Sequence, residues 1–369
     1  MAIYLILIAF VLGLSPLQER MKKTYLVLTL FFVWLIIAFR SYFIGNDTLT
    51  YASLFPSLAN FPLSLYGNNP VSILFTKNRF EYGYVVFNKL IYHFTENPRW
   101  LLIISALIIV LLFGITLYRY SDNPSVAIII FITMGFMSGS MSQIRQYIAW
   151  AICLYSIDSI MKKKPIKFTL LILLAMLFHI SAIVFLPMYM LSNIKVSFKK
   201  LIVFVVIVLP LFIFFNQFSN FTKIIIKSYG NYSNDILNNG STGHLAITVN
   251  LITFLIFFII EIYLLNINNK KEIKLDKLNN LNLWMMMCAF VVMLLSYKFS
   301  QFNRLTAYFT SSLIFLLPNE LVEENRNTIK KVITIGVIVF LISDFVIIHI
   351  LRPEWSNITP YHFMTSMWG

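Results

Sequence analysis

The chain has 369 residues, 59% hydrophobic and only 12% charged, with a net charge of +14 at pH 7. Soluble domains carry about 25% charged residues, so half the usual charge beside this much apolar surface excludes a soluble globular protein. Apolar runs long enough for a ~30 Å hydrocarbon core recur along the chain. They lack the period-2 alternation of a membrane barrel, so they are expected as helices, whose backbone groups are satisfied internally. The positive charge does not indicate nucleic-acid binding: the basic residues form short clusters between apolar runs, such as Lys162-Lys163-Lys164 and Lys270-Lys271, as orientation signals do. Cys153 and Cys288 fall inside apolar runs and suggest neither a disulfide framework, a metal site nor a nucleophile.

The expected fold class is all-α: one integral membrane domain over residues 1–369, a polytopic bundle of about 11–12 transmembrane segments. In chain order the spans are Ala2–Ser15, Thr24–Phe39, Trp100–Leu117, Ser125–Met137, Ile144–Ile160 and Phe168–His179. Ser181–Leu191, Leu201–Phe215, Leu245–Leu265, Leu281–Tyr297, Leu305–Leu317 and Val332–Leu351 follow. The first run lacks a basic leader and is followed by Glu19-Arg20-Met21-Lys22-Lys23, so it reads as a retained helix rather than a signal peptide. Phe168–Leu191 reads either as one span or as two half-spans meeting at His179. Charge favours the second: an unbroken span would flip every later loop and put the Lys270–Lys277 cluster outside. Both termini are then extracytoplasmic, with long extracytoplasmic loops at 41–99 and 216–244. The first loop is expected to hold an interfacial helix, Glu81 to Phe94, with Glu81, Tyr84, Val85 and Asn88 on one face. The second is rich in Asn, Ser and Gly and is read as a lid.

Ionisable groups at membrane depth are costly and mark functional candidates. In this topology they collect on one side. Arg40 ends the second span and leads into Gly45-Asn46-Asp47-Thr48 and Tyr51; Glu81 opens the interfacial helix; Arg145 starts the fifth span; His179 ends the sixth; Arg304 starts the eleventh; Tyr361 and His362 lie in the C-terminal tail. An arginine fork beside free N–H groups at a helix start is a good anion site, above all for phosphate oxygens. The plainer readings are a snorkelling arginine, a structural histidine, and Asp47 as a turn or N-cap residue. The shared side lifts the set above them.

Arg40 with Gly45, Asp47 and Tyr51 resembles the R-x(4)-G-x-D-x(3)-Y signature of EpsG-like proteins, a branch of the Wzy-type polysaccharide polymerases. The likeness continues through Glu81-Tyr82-Gly83-Tyr84, Arg145-Gln146, Phe178-His179-Ile180-Ser181-Ala182, Arg304, Tyr308 and Tyr361. Each motif is short; their ordered series, from Arg40 to Tyr361, is the more specific signal. Asn46 departs from the small or hydroxyl residue that is commoner there. The resemblance implies a GT-C-like, metal-independent glycosyltransferase without cofactor in the bacterial cytoplasmic membrane, with its active site facing outward. It would join undecaprenyl-diphosphate-linked oligosaccharide repeat units into a capsule, exopolysaccharide or O-antigen. Membrane lipid and a chain-length regulator are the other implied partners; nucleic acid is not one.

On this reading Arg145 and Arg304 hold the diphosphate, and Arg40 either helps them or fixes the Asp47 loop. His179, Glu81 and Asp47 are the candidate catalytic groups for the acceptor hydroxyl, His179 ranked first. Tyr51, Tyr84 and Tyr361 are candidate glycan contacts. No phosphate-binding glycine-rich motif is present. Two other readings stay open: a flippase or transporter, and a glycan ligase or O-acyltransferase.

Overall fold

In hydrocarbon every backbone N–H and C=O must find its partner within the protein, and the chain meets that demand with helices. The computed structural model describes residues 1–67, 69–74, 80–197, 242–268, 277–297, 300–321 and 328–364, with isolated positions 200, 203, 206 and 210. Among them every regular element is helical; one isolated bridge joins Arg40 to Phe363. The principal helices are α1 (Ala2–Gly13), α2 (Ser15–Ala38), α3 (Thr48–Ala59), α4 (Tyr82–Phe94), α5 (Arg99–Tyr120), α6 (Pro124–Thr133) and α7 (Phe136–Ser142). They continue with α8 (Ile144–Met161), α9 (Pro165–Met176), α10 (Thr242–Asn268), α11 (Lys277–Ser296), α12 (Thr306–Thr310), α13 (Leu316–Glu320) and α14 (Thr328–Leu351).

Local chemistry sets the boundaries. Asn123 caps α6 by accepting from the Val126 N–H, and Pro124 occupies its first turn, where no amide hydrogen is needed. Gly135, at φ +83°, lets α6 and α7 meet at a 51° bend. Met21 leaves the helical region inside α2, within the polar Gln18–Lys23 stretch that precedes the apolar run from Thr24.

Helix α8 lies at the centre, packed between α5 and α9. Its Trp150 ring is surrounded by Phe113, Phe131 and Phe136, with centroids 5.5–6.1 Å away. Lipid tails are as apolar as these side chains, so dense dispersion contact rather than water release holds such a cluster together. Helix α14 keeps a broad apolar face exposed, including Val332, Ile335, Val339 and Ile347.

Contacts define two ends of the bundle. At one, the Lys22 ammonium donates to the Ser121 carbonyl at 2.5 Å, Arg119 and Lys162 pair with Asp158 at 3.1 and 2.9 Å, and Lys277 donates to the Ile160 carbonyl at 2.6 Å. At the other lie Arg40, Glu81, Arg145, His179 and Arg304. The Tyr4 hydroxyl donates there to the Ile358 carbonyl at 3.1 Å, which brings both ends of the described chain to that side.

Several expected spans are irregular. Among the described residues five helices are long and apolar enough to cross a membrane, or six with the bent α6–α7 pair. The expected 11–12 segments therefore include short or broken passes. Leu305–Leu317 is one such correction: it forms α12, a 3-10 turn over Ser311–Ile314, and α13. The Thr310 and Ser311 hydroxyls bond the Thr306 and Tyr308 carbonyls at 3.0 and 2.8 Å, local bonds that bend a helix. The chain also breaks at His179. Phe168, near the start of α9, meets Phe185 and Tyr189 with ring centroids 6.5 and 5.4 Å away, so Ile180–Leu191 folds back along α9 as a hairpin. Its first arm is α-helical and its return begins as a 3-10 turn, Ile180–Phe185. It returns to the basic end, where Asn280 donates to the Ser192 and Ile194 carbonyls, both at 3.0 Å. Most of the expected span Leu201–Phe215, most of the 216–244 loop with its lid reading, and Lys270–Lys271 lie outside the described residues.

The hairpin makes a direct prediction for single cysteines placed in a background without Cys153 and Cys288. Lys163→Cys and Asn193→Cys should react with a membrane-impermeant thiol reagent from the same face, and Asn60→Cys from the opposite one. Opposite-face labelling of 163 and 193 would mean that the segment crosses only once.

Candidate functional site

The site grows from the first turn of α8, whose second residue is Arg145. Its Nη1 donates to Glu81 Oε2 at 2.6 Å, and its Nε lies 3.5 Å from the Tyr51 hydroxyl. The guanidinium stands 4.7 Å from the Phe80 ring centroid and 5.8 Å from that of Tyr84, a cation held against two aromatic faces. The side chains are 18% and 7% exposed for Arg145 and Glu81, so the pair is largely removed from water.

Glu81 reaches this position because α4 docks closely. It occupies the N-cap position of α4, yet its carboxylate makes no capping bond and turns toward the neighbouring elements. Two residues on, Gly83 lies so near the end of α9 that an added Cβ would come 2.7 Å from Leu177 Cβ and 2.8 Å from its carbonyl oxygen. That approach lets the Tyr84 N–H donate to the Leu177 carbonyl at 3.1 Å, while Glu81 Oε1 accepts from the Ile180 N–H at 3.3 Å. Tyr84, Val85 and Asn88 are all buried with Glu81, as the 3.6-residue periodicity predicts.

His179 sits at the hairpin tip, outside both helical arms. Its Nδ1 accepts from the Ser181 N–H at 3.3 Å and lies 2.6 Å from Ser181 Oγ, which in turn lies 3.0 Å from the Tyr308 hydroxyl. Loss of hydration pushes the imidazole down to about 4, Glu81 opposing and the Arg145 and Arg304 charges adding to the effect. The ring is therefore neutral throughout the physiological range and charges only as pH falls toward 4.

Arg304 belongs to a 3-10 turn, Ser300–Leu305, that runs into the five-residue α12. It does not open a long helix, which corrects the expected second helix-start anion site. Gln146 donates to the Arg304 carbonyl and Trp150 Nε1 to that of Ala307 at 3.1 Å, so two side chains of α8 hold this segment beside Arg145. The Arg304 side chain is exposed and makes no hydrogen bond or ion pair among the described residues.

Four expected ligands stand elsewhere or are consumed. Arg40 is 1% exposed; it donates to the Ile37 carbonyl, to the Met141 carbonyl at 2.7 Å and to Thr48 Oγ1 at 3.4 Å. These bonds tie it to the loop that carries Asp47 and spend its Nη groups on two carbonyls and a hydroxyl, while its buried Nε has no partner among the described residues. The Tyr361 hydroxyl donates to the Ile36 carbonyl at 2.8 Å and its ring packs on Tyr4, which anchors the C-terminal tail. Tyr84 is 0% exposed and walls in the Arg145 guanidinium, which leaves no face for a glycan. Tyr51 is buried as well, with its hydroxyl turned to Arg145.

Asp47 stands at the N-cap of α3 without a side-chain capping bond, one turn before Tyr51. Gly45, at φ +85°, makes the loop possible: a Cβ there would meet Thr48 Oγ1 at 2.9 Å and Ser142 Oγ at 3.0 Å. Ser181, Tyr308 and Gln146 were given no role from sequence, although all three fall within the motifs of the resemblance. Among the described residues no three His, Cys, Asp or Glu side chains gather as a metal site.

A family model described as the EpsG family matches residues 23–363 of the chain. No curated protein and no solved structure matches it.

The buried pair and its docking contact are open to test by unfolding in detergent. Glu81→Ala removes the carboxylate that Arg145 pairs with at 2.6 Å and is expected to cost about 3–5 kcal/mol. Adding Arg145→Leu should recover part of that loss; a strictly additive double variant would show that the pair is not coupled. Gly83→Ala must push α4 off Leu177 and should also destabilise. Gly336→Ala, in open space on α14, should be neutral or stabilise by up to about 1 kcal/mol.

Proposed function

Because the chain belongs to the EpsG family, we propose that it polymerises oligosaccharide repeat units carried on a polyprenyl diphosphate, undecaprenyl diphosphate in bacteria. The observation that carries this reading is the pairing of two arginines from separate segments: Arg145, buried and oriented by Glu81, and Arg304, exposed and without a partner among the described residues, held beside it through Gln146. A fixed fork with a second, available cation suits the two phosphoryl groups of a diphosphate leaving group.

The reaction joins a hydroxyl at the non-reducing end of one lipid-linked unit to the anomeric carbon of the chain carried by another. The hydroxyl oxygen forms the new C–O bond, the bond from the anomeric carbon to the diphosphate oxygen breaks, and the lipid diphosphate leaves with the electron pair. Positive groups placed where that charge develops supply a large share of the rate. The hydroxyl proton needs an acceptor. Glu81 spends both carboxylate oxygens on Arg145 and the Ile180 N–H, and His179 Nδ1 is occupied by Ser181. Asp47, whose carboxylate has no partner among the described residues and follows the Arg40-braced turn, takes the role of base ahead of His179. The site lies at the end of the bundle away from the Lys22, Arg119, Lys162 and Lys277 cluster, which together with the positive-inside tendency supports a site that faces outward from the cytoplasmic membrane.

Purified protein supplied with lipid-linked repeat units tests this reading. Wild type should yield a ladder of polymer. Arg304→Ala should slow elongation by about 10²–10³-fold with an unchanged thermal midpoint, since the side chain is exposed and bonds nothing else among the described residues. Asp47→Asn should lose about 10²–10⁴-fold. Single units moved across a vesicle without being joined would identify a flippase instead, and normal chain lengths from Arg304→Ala would remove the diphosphate assignment.

A further inference from the structure

The hairpin tip holds a chain of groups that the proposed reaction has so far left idle: Tyr308, fully buried, then Ser181, then His179. The protonation of the imidazole can be read from this chain. The Ser181 backbone amide can only donate, and it points at Nδ1 from 3.3 Å. A proton on Nδ1 would set two N–H groups against each other. Nδ1 is therefore a bare acceptor, shared between the Ser181 amide and the Ser181 hydroxyl at 2.6 Å. With its proton committed to Nδ1, Ser181 Oγ presents a lone pair to the Tyr308 hydroxyl at 3.0 Å, which becomes the donor at the head of the chain. Two donors thus converge on Nδ1, with the Tyr308 hydroxyl behind one of them to hold it, and the single imidazole proton resides on Nε2, which has no partner among the described residues.

On the polymerase reading, we infer that His179 acts as a neutral Nε2–H hydrogen-bond donor to the departing diphosphate oxygen, and that Tyr308 is the positioning residue that fixes this tautomer through Ser181. The groups facing the ring fit that role. Arg145 and Arg304 oppose a third positive charge, Glu81 is already engaged by Arg145, and desolvation favours the neutral ring. A neutral donor adds a directed N–H to the two guanidinium charges without adding to their repulsion. No bond to His179 forms or breaks and it takes no proton, so the hydroxyl proton still goes to the base.

Substitution by amides of different reach tests this directly. A glutamine amide nitrogen occupies the place of Nε2, whereas an asparagine amide ends near Nδ1. His179→Gln should elongate lipid-linked units within about tenfold of wild type, and His179→Asn should fall about 10²-fold or more. Wild-type kcat/KM should show no histidine ionisation between about pH 5 and 8. Tyr308→Phe should lower kcat with little change in KM, and should have no further effect in the His179→Gln background, where there is no tautomer to fix; a merely structural tyrosine would remain costly in both. Equal inactivity of the Gln and Asn variants, with wild type producing polymer and all proteins sharing one thermal midpoint, would overturn the donor role alone. Absence of polymer from wild type would overturn the polymerase reading together with it.

Discussion

One carboxylate ties together the end of this bundle that lies opposite its basic cluster. Glu81 binds the Arg145 guanidinium with one oxygen and the Ile180 amide with the other, so a helix in the long 41–99 segment, the first turn of the central helix and the tip of a hairpin meet on a single side chain. Desolvating such a pair costs several kcal/mol per ion and is recovered only when geometry is good and the remaining lone pairs are used. Both conditions hold here, with a 2.6 Å contact, a second acceptor bond and two aromatic rings around the cation. Gly83 makes the arrangement sterically possible, since any larger residue would hold α4 off Leu177.

The irregular backbone collects around that point. Non-helical chain at membrane depth is tolerated only where protein or a polar cavity can satisfy it, and the breaks at His179, at Gln143 between α7 and α8, and over Ser300–Leu305 all lie at this end. The first and last are bonded directly by side chains, and beside the second the Met141 carbonyl accepts from Arg40 and Thr48. Glu81 takes the Ile180 amide, and Gln146 and Trp150 take the Arg304 and Ala307 carbonyls. Helix α8 is thus both the packing centre, through its aromatic cluster, and the rail from which the Arg145 and Arg304 segments are aligned.

Much of this was legible in the residues. Apolar runs gave the helical membrane class and most span positions, and charge rather than periodicity identified the reversal at His179, because only that reversal keeps the later basic clusters on one side. The 3.6-residue spacing of Glu81, Tyr84, Val85 and Asn88 gave the buried face of α4. The fate of each polar group was not legible, since it depends on contacts distant in the chain. Arg40 is bound by the carbonyl of Met141, and Tyr361 by that of Ile36; nothing local to either residue distinguishes these anchors from ligands. The breakdown of Leu305–Leu317 into short turns escaped for the opposite reason. Its apolar count satisfies a span, but hydroxyl-to-carbonyl bonds at Thr310 and Ser311 act over three or four residues and leave no mark in a hydropathy average.

The three arginines show how partner chemistry sorts one residue type into separate roles. Arg40 faces neutral carbonyls, and it braces a loop. Arg145 faces a carboxylate, so its charge is half spoken for while its orientation is fixed. Arg304 faces no side-chain acceptor among the described residues. On the proposed reaction this gradation has a use. Two bare guanidinium groups would hold a lipid diphosphate tightly both before and after transfer, and binding that is equal in the two states does not raise the rate of the chemical step. With Glu81 set against Arg145 and His179 uncharged, the fixed charge near the leaving group is close to +1 rather than +2 or +3. Such a pocket holds the ground state loosely, gains most as charge develops on the leaving oxygen, and releases the lipid diphosphate so that the next unit can enter.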